Sequence, residues 1–182
     1  MVGRLLTTGK VDVNCANKLG NTPLRVAANY GLHSVVNLLL DSGKVDVNAE
    51  YRGGRTVMWH VVERGHVAVV ELLLNYGNVH ANYKDHRGWA PLSVAAGLNR
   101  VSVVERLLGC ASVDANSTDK PWRTPLWHAV WKEAIPVVER LLASGKVDQR
   151  IEDDEGNSPL MLAESMGHGT IVDLLRKRAA EK

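Results

Sequence analysis

The sequence predicts an all-α solenoid of stacked helix pairs, on two sets of markers that recur in one register and an apolar stripe of helical period. The first markers are Thr22-Pro23-Leu24, Thr56-Val57-Met58, Ala90-Pro91-Leu92, Thr124-Pro125-Leu126 and Ser158-Pro159-Leu160, each 34 residues after the last. The second keeps the same step: Val11-Asp12-Val13-Asn14, Val45-Asp46-Val47-Asn48, Val79-His80-Ala81-Asn82 and Val113-Asp114-Ala115-Asn116. With 45% apolar residues in 182, the chain can bury a core.

Each unit reads in the same order. The threonine or serine supplies an N-cap whose hydroxyl accepts an early helical N–H, and proline follows at the first helical position, where no hydrogen bond is lost. The first helix of unit one runs to about Tyr30 and stops at Gly31; Gly65 and Gly167 fill the same slot, where a left-handed cap needs no side chain. A second helix carries Val35, Val36, Leu38, Leu39 and Leu40, repeated as Val69, Val70, Leu72, Leu73 and Leu74 and again as Val137, Val138, Leu141 and Leu142. Pro136 falls in the first turn of its second helix, where proline is tolerated. Between helix pairs, stretches such as 46–55, rich in Asp, Asn and Gly, predict a β-turn or hairpin finger.

A unit of finger, Thr-Pro-Leu helix, glycine turn and Val-Val-x-Leu-Leu-Leu helix resembles the ankyrin repeat. Five units are expected, at 9–42, 43–76, 77–110, 111–144 and 145–182, preceded by a partial unit at 1–8 and forming one continuous solenoid. Met1 to Leu6 align with Val35 to Leu40, so the chain is expected to begin inside a second helix, as a fragment of a longer array in a multidomain protein. Arg176, Lys177 and Arg178 supply a polar C-terminal cap; the N-terminal face lacks one and is expected to self-associate. Departures from the pattern include Val57 for proline, Ala90 for the capping threonine, Trp122 in the fingertip glycine slot and Glu133 in the turn glycine slot. Glu133 in a left-handed conformation costs about 1 kcal/mol.

The resemblance implies a protein-protein interaction scaffold without enzymatic activity or cofactor, binding its partner through fingertips and the first-helix face. The strip this face would share holds Tyr30 from unit one, then Tyr51, Arg52, Arg55 and Arg64 from unit two. Arg87 and Trp89 follow from unit three, with Trp122, Arg123, Trp131 and Lys132 from unit four. Trp, Tyr and Arg are the residue types most enriched in binding hot spots, which puts Trp89, Trp122 and Trp131 first. Trp59 and Trp127 suit a packing role as well as a binding one. Charge along the strip runs from basic in units two to four to acidic at Glu152, Asp153, Asp154 and Glu155, which would steer a partner of opposite pattern.

Other classes fit less well. A formal charge of +2 and a pI near 8.6 argue against nucleic acid or an anionic membrane as the partner. No apolar run approaches the roughly 20 residues of a membrane span, and no secretory leader is evident. Two distant cysteines, Cys15 and Cys110, suggest a reducing cytoplasmic or nuclear setting rather than a disulfide scaffold. His60 and His128 occupy one slot two units apart, roughly 20 Å at about 10 Å per helix, too far to share a metal. No phosphate loop or nucleophile elbow is present. The alternative to a scaffold is a structural spacer or spring with no partner of its own.

Overall fold

The computed structural model describes residues 12–180. The aligned segment Met1–Leu6 therefore lies outside the described residues. Among those described, ten helices follow one another in pairs: α1 (Pro23–Asn29) with α2 (His33–Asp41), α3 (Val57–Arg64) with α4 (Val67–Asn75), and α5 (Pro91–Gly97) with α6 (Val101–Gly109). The series ends with α7 (Pro125–Trp131) and α8 (Ile135–Ala143), then α9 (Pro159–Ser165) and α10 (Gly169–Ala180). First helices pack on first helices and second on second, so the pairs form two parallel layers with the core running between them.

The start signals act as local chemistry dictates. Thr22, Thr56, Thr124 and Ser158 each accept the N–H three residues on, while Ala90 has no hydroxyl and leaves that donor without a cap. Pro136 sits at the second position of α8, inside the tolerated first turn.

Each first helix ends in a Schellman motif. In unit one, Gly31 N–H donates to Ala28 C=O at 3.0 Å and Leu32 N–H to Ala27 C=O at 2.9 Å, consuming carbonyls that would otherwise be orphaned. The motif requires a left-handed residue, and Gly31 takes φ 65°. A Cβ there would also meet the His66 ring at 2.9 Å. The motif is kept where glycine is not: Asn99 and Glu133 adopt φ 53° and 51° in the same slot. Glu133 thus pays the strain expected of it, about 1 kcal/mol, and its carboxylate lies 3.6 Å from His168 Nδ1.

The second-helix stripe is narrower than the apolar run that encodes it. Val36, Leu39 and Leu40 are buried at i, i+3 and i+4, whereas Leu38, on the opposite side of the helical wheel, is 42% exposed. At the far end, α10 turns Ile171 and Leu175 inward and sends Arg176 out to Glu164 at 2.8 Å.

The Val-Asp-Val-Asn marker has a structural cause. Asn14 Nδ2 donates to Lys44 C=O (2.8 Å) and its Oδ1 accepts from Asp46 N–H (2.9 Å), tying one unit to the next. Asn48, Asn82 and Asn116 repeat both bonds to Asn78 and His80, Ser112 and Asp114, and Lys146 and Asp148. Asparagine alone combines this donor and acceptor at such short reach, and both partners are backbone groups. Arg150 takes the next position in the register.

Candidate functional site

The fingers are tight turns anchored by one side chain. In unit three Asp85 Oδ1 accepts from Arg87 N–H and Trp89 N–H at 2.9 and 3.0 Å, while Asp85 N–H donates to Trp89 C=O across the hairpin. Asn17, Asp119 and Asp153 play the same part in units one, four and five. Unit two has Tyr51 there instead, and its finger closes through a Tyr51–Arg55 bridge. Successive fingers also bond edge to edge: His86 N–H to Gly53 C=O, Lys120 N–H to Arg87 C=O, and Asp154 N–H to Pro121 C=O. Trp122, in the fingertip glycine slot, keeps the left-handed turn at φ 63°.

Two aspartates also reach into the layer of first helices. Asp119 Oδ2 lies 3.0 Å from His128 Nε2, both side chains being 2% exposed. Trp127 Nε1 donates to Asp153 Oδ2 at 3.1 Å. Asp153 is therefore a buried strut rather than part of an acidic surface, which is carried by Glu152, Asp154 and Glu155. Trp59 and Trp127 are both buried, with Arg55 and Arg123 stacked on them at 3.8 and 4.3 Å from the ring centres. The packing reading holds for both.

The strip read from the sequence divides in two. Tyr30, Arg52, Arg64, Arg87, Trp122, Trp131 and Lys132 are exposed, with Tyr30 at 70%, Trp122 at 63% and Trp131 at 43%. Lys132 Nζ sits 4.1 Å from the Trp131 ring centre, and Trp131 stacks on Trp127 at 6.0 Å. Tyr51, Arg55, Trp89 and Arg123 are half-buried and already employed in packing, contrary to the expectation that finger residues are free. Tyr51 shares a 2.8 Å hydrogen bond with Thr22, and burial holds its phenol above the usual range despite that bond. Trp89 lies 4.1 Å from the His128 ring and against Gly97, so its indole is as much core as surface.

Unit two differs from unit four in one respect that sequence reasoning does not single out. His60 occupies the slot of His128, but Tyr51 stands where Asp119 would meet it, and the enclosed Nε2 of His60 has no hydrogen-bond partner. The adjacent Trp59 Nε1 is enclosed without a partner as well. Burial, followed by the fields of Arg25, Arg55 and Arg64, lowers the His60 pKa to about 4.

The unfolded chain therefore binds a proton here from about pH 6.5 downward that the folded chain refuses until about pH 4. Stability falls as pH drops through that window, and above it the group contributes no pH dependence. In His60→Gln the fall between pH 6.5 and about pH 4.5 should shrink by about 1 kcal/mol, solvent screening allowed for, in urea unfolding at the two pH values.

Among the described residues, no cluster of histidine, cysteine or carboxylate side chains is placed to hold a metal, and no helix is long and apolar enough to cross a membrane. The geometry defines a repeat protein whose fingers and first helices present one continuous face. The family of ankyrin repeats (3 copies) matches residues 26–119 and 94–182, and the chain belongs to the ankyrin repeat family. Its members are generally protein-protein interaction modules and typically non-enzymatic. None of the curated proteins matches the chain.

Proposed function

We propose that this chain is a protein-interaction scaffold that grips its partner with the concave face made by the fingertips and the exposed ends of the first helices. One observation carries the reading. Among the described residues, the exposed large apolar side chains Tyr30, Leu98, Trp122 and Trp131 all stand at a fingertip or at the end of a first helix. Folding gains nothing from exposing tryptophan beside lysine and arginine, whereas an interface uses such residues as anchors. Both cysteines are free, in keeping with a reducing cytoplasm or nucleus. A spacer, the rival reading, would have no use for Trp122 in a strained left-handed turn.

The test compares the full chain with Trp122→Ala/Trp131→Ala in affinity capture from the native source. Trp89 is left intact because its truncation would open the packing against His128. Capture should fall about tenfold or more with the circular dichroism spectrum and melting unchanged. Undiminished capture would remove this surface, and a chain that retains no protein at all would favour the spacer.

A further inference from the structure

The cleft between units one and two carries an inference that rests on the binding-face reading and makes it chemical. It encloses about 410 Å³ and is bordered by the finger amides Asn17 and Asn21, by Arg25 and Asn29 of α1, and by His60 and Arg64 of α3. We infer that this cleft seats a carboxylate side chain from an acidic segment of a partner protein, held between the guanidinium groups of Arg25 and Arg64.

Three observations converge on that occupant. Neither arginine makes an ion pair among the described residues: Arg25 lies 4.4 Å from the Tyr51 ring centre, and Arg64 projects from the end of α3. Glu63 borders the cleft too, 3.8 Å from His60 Nδ1, so two arginines face one glutamate and the balance stays positive. Cationic walls around a concave surface focus potential and favour an anion.

The second observation is unspent hydrogen-bonding capacity. His60 is nine-tenths buried, lines the cleft and leaves its enclosed Nε2 unpartnered, whereas in unit four Asp119 meets Nε2 of His128. Burial first and the arginine fields second keep this imidazole neutral, and an entering carboxylate would offset the latter, so His60 reports occupancy even without touching the ligand.

The third observation separates a peptide from a free small anion. The cleft opens along the strip past Val26 and Tyr30, both exposed, which offer apolar contact to residues flanking an acidic side chain. A free anion would make no use of them. Planar guanidinium groups match a carboxylate fork in two parallel bonds, as a lysine pair would not.

The experiment selects peptides from a random display library on the full chain. The selected peptides should be enriched in Asp or Glu with neighbouring apolar residues. Their affinity should fall about tenfold or more for Arg25→Gln/Arg64→Gln, and their binding should move the His60 ring signals in NMR spectra. Since Arg25 also packs on Tyr51, Arg64→Gln alone serves as the variant with the fold beyond question and should show a smaller loss in the same direction. Peptides without acidic excess, or equal binding to both arginine variants, would overturn the inference. If binding then depended on Trp122 and Trp131 instead, the binding face would stand while the cleft assignment fell. Selection of no peptide at all would overturn it as well.

Discussion

Replacing Asp119 with alanine is expected to destabilise the chain by about 3 kcal/mol, more than any other single finger substitution. Two donors lose their acceptor at once: the His128 ring nitrogen at 3.0 Å and the Arg123 N–H at 2.8 Å. The His128 side chain is 2% exposed, so water cannot easily replace the lost oxygen. The finger would also lose the turn anchor that orients Trp122, and with it the register against the neighbouring fingers. For an array of this length the melting temperature should drop by about 6–12 °C. Asp119→Asn keeps an oxygen for Arg123 and should recover most of the loss. Urea unfolding followed by circular dichroism measures both, and a penalty below about 1 kcal/mol for the alanine variant would show that the pair is not a strut.

That aspartate also shows where sequence reasoning stops. The helix pairs, their caps and the turn glycines were legible because each is encoded within a few residues: a hydroxyl before proline, a glycine after the last turn, apolar residues at helical spacing. Even the departures were legible, since Trp122 and Glu133 hold the left-handed conformations that their slots imply. The finger contacts were not. Whether Asp153 faces solvent or Trp127 depends on how one unit leans on the next, and no local pattern records it. The same holds for Trp89, which looks like a free fingertip in sequence and is half core in three dimensions because His128 comes up beneath it from the following unit. Arg25 escapes notice for the opposite reason: its slot holds Trp59, Ser93, Trp127 and Met161 in other units, so no repeated chemistry draws attention to it.

The asparagine ladder gives the second large effect, and its signature lies in cooperativity as much as in stability. In a solenoid each unit touches only its neighbours, so global stability is a sum of unit terms and interface terms, and all-or-none unfolding survives only while every interface is strong. Asn82 supplies two bonds to one interface, Nδ2–H to Ser112 C=O at 2.6 Å and Oδ1 from Asp114 N–H at 2.9 Å. Asn82→Ala removes both and leaves the two backbone groups to water, a loss of about 2 kcal/mol. Asn82→Asp should recover part of it, because a carboxylate still accepts from Asp114 N–H but meets Ser112 C=O with no donor and stands near the Asp114 carboxylate. Because the substitution weakens the link between units three and four rather than either unit's core, the urea transition of Asn82→Ala should broaden or split, with the apparent m-value falling. Asn14→Ala makes the same deletion at the link between units one and two, near one end of the described residues, and should leave the main transition single. Equal effects at the two positions would mean that the ladder adds stability without carrying cooperativity along the array.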